Sequence, residues 1–356
     1  MAFAGAAFAA YLAFVALAWM RGANVPVLPH HKSAKPLTSA DIYDLTRSAV
    51  AVAGLAAGVF AAVYAYRKQR VEEAASKRTD EEHLSSRYQD AADQLGSDKA
   101  AVRLAGVYAL SRLADDWLEQ RQTCINVLCA YFRMHKDGDE LSSGEKEVRN
   151  TILGVLLDRL DPALPNSWRD YDYRLKGSFF DSDIYMPDGP GEGFIDLSES
   201  TFAGCRVRVE NSYDQAVNVL NFERSVFKDD VRIEIKGHYS SGSLDFDGAH
   251  LLNGRLDFTS IYIDGGSLRF AATDFEGADV FFSGAHFLGG TADFTKANFA
   301  AGRIDFSHAE FKGGVAEFGY ASYGGAELVL EDVEGEKPQG LPKDRWKPRK
   351  GEQAKG

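Results

Sequence analysis

Four polar side chains, His250, Asp274, Asn298 and Ser322, stand at one fixed interval (274 − 250 = 298 − 274 = 322 − 298 = 24). Tyr262, His286 and Glu310 keep the same beat, as do Asp245, Arg269, Asp293 and Glu317. Imidazoles and carboxylates are the groups that ligate divalent metals or carry protons, and both chemistries need several of them converging in a concavity. Residues on one strict period instead form vertical rows on a straight wall, so these rows read as solvated faces. His308, near Glu310, reads the same way. Cys124 and Cys129 are five apart, about 140° around a helix, and off the spacing of common zinc sites. They read as ordinary thiols. Phosphate-loop, nucleotide-fold and nucleophile-elbow patterns are absent. The chain is therefore expected to be no enzyme, with no catalytic, cofactor-binding or metal-binding residue and no cofactor.

The rows require an element that repeats. From Phe246 the large apolar residues alternate five and seven apart: Leu251, Phe258, Ile263, Phe270, Phe275, Phe282, Phe287, Phe294, Phe299, Phe306, Phe311, Phe318, Tyr323 and Leu330. A helix needs a period near 3.6 and a simple strand one of 2, so a twelve-residue repeat means stacked coils. Two residues before each large one stands a second inward position. It is small in the short segments (Ala249, Thr273, Ala285, Ala297, Ala309, Ala321) and mostly mid-sized in the long ones (Leu244, Leu256, Leu268, Val280, Ile304). Glycines follow nearly every short segment, as at Asn253-Gly254, Gly265-Gly266 and Gly289-Gly290, and read as corners that demand positive φ.

The units AHFLG, ANFAA, AEFKG and TDFEG make residues 180–332 resemble the pentapeptide-repeat family. That resemblance implies an all-β, right-handed quadrilateral β-helix with the central Phe or Leu stacked down its interior. Alternating five with seven enlarges two corners of each coil, and one extra residue intrudes before Phe222. About six coils at roughly 4.8 Å each give a rod on the order of 30 Å long.

Ahead of the repeat, residues 1–20 and 48–66 carry no charge and are each long enough to span a bilayer, so two transmembrane helices are expected within a membrane region 1–70. Ala16 and Ala18 form a small-x-small pair of the kind that signal cleavage sites use, but no basic region precedes them, which favours a retained span. Arg67, Lys68, Arg70, Lys77 and Arg78 after the second segment outnumber Arg21, Lys32, Lys35 and Arg47 before it, which places the C-terminal part in the cytoplasm of a multi-pass protein of the cell membrane. Three sparse cysteines agree with that compartment.

Residues 71–165 read as helices, with Gly96 ending one, Ser97-Asp98 capping the next, and Ser142 with Glu145 at capping-box spacing. The paired amphipathic helices of 100–133 resemble a HEAT-type hairpin, suited to capping the open edge of the β-structure at 172–334. The segment 335–356 is basic and Pro-rich and reads as a disordered tail.

Between 172 and 334 there are 28 Asp and Glu against 13 Lys and Arg, a net of 13 − 28 = −15 where the whole chain has −12. The expectation is a membrane-anchored binding or scaffolding protein that presents an acidic β-helix to a protein partner, without direct nucleic-acid binding. The alternative is a DNA-mimicking inhibitor or protector of a topoisomerase, since acidic members of the resembled family include such mimics.

Overall fold

The computed structural model describes residues 2–24, 28–29, 36–138, 140–187, 190–211 and 219–341. Lys32, Lys35 and the basic tail beyond Leu341 lie outside them. The chain divides into two compact units, Met1–His83 and Leu84–Gly356.

In the first unit, α1 (Ala2–Met20) is followed by α2 (Ser39–Leu95), whose last turns belong to the second unit. Ala18, Ala23 and Leu45 form a small core there, with Phe14, Leu17 and Leu37 packed on it. Thr38 and Asp41 open α2 by exchange: the Thr38 hydroxyl donates to the Asp41 carboxylate at 2.6 Å and accepts from the Asp41 N–H at 3.3 Å. Beyond that start the apolar residues are uncovered, Leu55 being 73% and Phe60 76% exposed.

Among the described residues, one helix, α2, is long and apolar enough to cross a membrane. The expectation of two spans is corrected to one. Among the described residues the apolar stretch of α1 is Ala10–Met20, and Phe14 and Leu17 within it pack on the core of Ala18, Ala23 and Leu45. No Gly or Pro occurs in residues 59–95, and α2 comprises 57 residues.

The second unit starts with three packed helices, α3 (Ala100–Asp116), α4 (Arg121–Arg133) and α5 (Ser143–Asp158). Val107, Leu110, Leu113, Ile125, Leu128, Phe132, Ile152 and Leu156 fill their core together with Ala91 and Leu95 of α2. Ser142 caps α5 as expected, accepting from the Glu145 N–H at 3.2 Å. The cap expected from Ser97-Asp98 differs: Lys99 is the N-cap of α3, with no side-chain cap bond.

A parallel β-solenoid of about six turns follows. Its strands lie in two seven-stranded sheets and one eleven-stranded sheet, and a seven-stranded ladder contains 7 − 1 = 6 steps. Leu244, Leu268, Ala292 and Ala316 are register partners in succession, which fixes the turn at 24 residues in the later coils (268 − 244 = 24). Like therefore stacks on like. Phe246, Phe270, Phe294 and Phe318 form one column with centroids 4.9, 5.3 and 4.8 Å apart, and Phe258, Phe282 and Phe306 form another at 4.9 and 4.8 Å. The two columns meet edge to face, Phe282 and Phe294 at 85°, an arrangement that suits the ring quadrupoles. The small inward positions are buried as expected except Ala321, which is half-buried, and the Thr273 hydroxyl at one of them donates to the Phe246 carbonyl at 2.7 Å.

The corners bear out the glycine reading in part: Gly254, Gly302 and Gly313 have positive φ, whereas Gly265, Gly266, Gly289 and Gly290 do not. Positive φ recurs every twelve residues, at Gly248, Ser260, Ala272, Gly284, Lys296, His308, Tyr320 and Asp332, and six of these eight are not glycine. Most glycines after the short segments are needed for room: a Cβ on Gly289 would lie 2.0 Å from the Asp264 carbonyl of the coil beneath. A left-handed residue other than glycine costs roughly 1–2 kcal/mol, partly offset by the greater chain entropy of an unfolded glycine. Lys296→Gly is therefore expected to stabilise the solenoid by up to about 1 kcal/mol, read as a raised midpoint in a denaturant titration.

Both edges are closed. At the first, Gln122 of α4 donates to the Asp172 carbonyl at 2.8 Å and accepts from its N–H at 2.9 Å, as a further strand would. Arg149 of α5 donates to the carbonyls of Phe132 and, at 2.7 Å, of Phe179, with its guanidinium 4.0 Å from the Phe132 ring. The expectation of a helical cap is met. At the far edge Glu334–Gly335 pairs with Glu310–Phe311, Gln339 bridges Glu317, and Leu341 is buried, so residues 335–341 close the last coil instead of leaving it as tail.

Candidate functional site

The outward rows stand where the repeat places them, and each is internally paired. In the row of Asp245, Arg269, Asp293 and Glu317, Arg269 bridges Asp245 at 3.6 Å and Asp247 in the next column. Burial, with repulsion from Asp247, pushes the Asp245 carboxyl up, against a lowering backbone hydrogen bond from Asp247. In the row of Tyr262, His286 and Glu310, the Tyr262 and His286 rings stack at 4.2 Å and His286 Nδ1 is 2.7 Å from Glu310. Lys312 also reaches Glu310, and hydrogen bonds from Lys312 first and His286 second hold that carboxyl below its usual range.

The row of His250, Asp274, Asn298 and Ser322 does more than repeat. His250 Nδ1 is 3.3 Å from Asp274 and 3.7 Å from Glu276, a residue the row did not include. His308 is a corner residue with φ 58° and sits in no cluster with Glu310.

The thiols are sequestered. Cys124, Cys129 and Cys205 are all buried, and burial pushes them up to about 11, about 12 and about 11. Thiolate character, which reactivity requires, is suppressed at each.

Sequence reasoning missed a basic column. Arg206, Arg232 and Arg255 are register partners on three successive coils, lining a surface trough of about 540 Å³ with Asp230, Glu234, Asp257 and Asp279. Arg255 binds Asp257 at 2.7 Å and lies 3.9 Å from the Phe281 ring. Burial would raise the Asp257 carboxyl, but bonds from Thr259 and Arg255 outweigh it and leave it below the usual range. The column breaks the 24-residue beat, since 232 − 206 = 26 and 255 − 232 = 23. The signal was Arg followed by a β-branched or Leu residue and an outward polar one, recurring three times off register.

No protein-family model matches this chain, and no characterised protein and no solved structure matches it.

Proposed function

We propose that the chain is a membrane-anchored, non-enzymatic display protein, with α2 as its one span and the solenoid as a binding wall for a protein partner. The observation that carries this reading is the long run of uncovered apolar residues in α2. Such a surface is stable where lipid covers it, and the same helix continues into the core of the second unit. The basic residues Arg67, Lys68 and Arg70 immediately after the span favour a cytoplasmic solenoid. We further read the solenoid as right-handed and four-sided, a variant of the pentapeptide-repeat form with enlarged corners. The stacked Phe columns and the five-and-seven spacing support that assignment.

A binding role fits walls whose charges alternate in sign over short distances, because complementary charge gives register and selectivity more than raw affinity. The DNA-mimic alternative rests on the net −15 of residues 172–334 (13 − 28 = −15). It is disfavoured by the arginine column, since a phosphate-like surface has no cationic stripe.

Cys205 is a poor reporter of topology because it is buried, whereas Tyr320 is 91% exposed. Tyr320→Cys in intact cells is expected to escape a membrane-impermeant maleimide until lysis, and labelling before lysis would place the solenoid outside. A gyrase supercoiling assay with the detergent-solubilised chain separates the two functions: no inhibition is expected, and inhibition at low stoichiometry would install the mimic.

A further inference from the structure

We infer that His250, Asp274 and Glu276 form a binding site for one divalent cation of the zinc class on the solenoid wall, bridging two successive coils. This goes against the expectation of no metal site, and it rests on geometry that the row alone did not reveal.

His250 and Asp274 are register partners on adjacent parallel strands, so their side chains leave the wall side by side. Glu276 stands two residues after Asp274, in the bend that follows the strand Asp274–Phe275, with its Oε1 3.7 Å from His250 Nδ1. Between them Leu251 and Phe275 are fully buried, and the N–H groups of Asp274 and Glu276 bond to the carbonyls of Ala249 and Leu251, both at 2.9 Å. Two of the three ligand positions, His250 and Asp274, are thus set by paired strands, and Glu276 by the bend directly after one of them.

Their ligand atoms all lie within 4.8 Å of one another. Donors held 2.0–2.1 Å from a tetrahedral ion stand about 3.3 Å apart, and His250 Nδ1 is 3.3 Å from Asp274 Oδ2 and 3.7 Å from Glu276 Oε1. A second shell is in place: Asn298 donates to Asp274 Oδ1 at 3.2 Å, leaving Oδ2 toward His250, and Ser322 donates to Asn298 at 2.7 Å. All three ligands are partly exposed, so water can complete the coordination.

The charge balance points the same way. On the row of Tyr262, His286 and Glu310 the comparable His–carboxylate pair has Lys312 as its cation. No lysine or arginine lies within ion-pair distance of Asp274 or Glu276 among the described residues, and two carboxylates match a doubly charged ion. One nitrogen with two oxygens suits Zn²⁺ over Ca²⁺, which takes six to eight oxygens.

The test is titration of the full-length, untagged, detergent-solubilised chain with Zn²⁺ against a chromophoric chelator. One equivalent is expected to bind in a manner that His250→Ala weakens by about 100-fold or more. Asn298→Ala, which removes no ligand, is expected to weaken it about tenfold. Zn²⁺ should raise the melting temperature of the wild type and leave that of His250→Ala unmoved. Equal affinities for wild type, His250→Ala and Glu276→Gln would overturn the site, and an unchanged Asn298→Ala would remove the positioning role of Asn298. His250 and Glu276 are half-exposed, so both variants keep the fold, which circular dichroism verifies.

Discussion

Phe294→Asp is expected to abolish the cooperative unfolding transition of the solenoid. Phe294 is 1% exposed, stacks on Phe270 and Phe318, and meets Phe282 and Phe306 edge-on at 85° each. Truncating such a ring to alanine costs about 3–5 kcal/mol. A carboxylate in its place adds the expense of an unpaired charge in an apolar column, several kcal/mol more, against a total stability of about 5–15 kcal/mol for a typical domain. The loss would show as vanished β-sheet ellipticity and rapid proteolysis of residues beyond 170. Phe294→Leu, which keeps an apolar filler, should retain the transition at a lower midpoint. A folded Phe294→Asp protein would mean that the column is not what holds the coils together.

The second large effect concerns the anchor. Leu55 and Val59 lie four apart on one face of α2, 73% and 63% exposed. A lysine near the centre of a spanning helix costs roughly 2.5–3.5 kcal/mol on insertion, so the double variant Leu55→Lys/Val59→Lys carries about 5–7 kcal/mol. It is expected to move the protein from the carbonate-resistant membrane fraction to the soluble one. Retention of the double variant in the pellet would show that α2 is not the anchor. Paired with it, Tyr320→Cys labelling reports side, so attachment and orientation are decided separately.

The interior of the solenoid was legible because its period is enforced by volume. Phe246, Phe270 and Phe294 recur every 24 residues because each ring stacks on its partner in the next coil. The corners were legible in place but not in cause. Backbone conformation at Lys296 or His308 leaves no trace in residue type, while the glycines that are visible, such as Gly289, mark a carbonyl passing beneath. The arginine column was hidden because the coils near residue 212 are unequal, and a fixed period cannot follow steps of 26 and 23. Two of the three residues of the proposed cation site could be read from the row of His250 and Asp274. Glu276 could not, because it belongs to the neighbouring column and only the geometry brings its oxygen within 3.7 Å of His250.

The Phe132 ring of α4 lies 5.1 Å from Phe180, which stacks on Phe202, which stacks on Phe227. The innermost aromatic column thus begins inside the helical bundle. Each coil contacts only its neighbours, so pairing a new coil requires closing a loop of one turn on a surface already formed. The bundle is the only place where such a surface exists before any coil does, because α4 and α5 can bury their faces through short-range contacts. Folding is therefore expected to have a direction, starting on the bundle and adding coils outward in the order in which the chain leaves the ribosome. Removing coils from the C-terminal end should leave a shorter rod that still assembles, whereas removing the bundle leaves a repeat with nothing to count from.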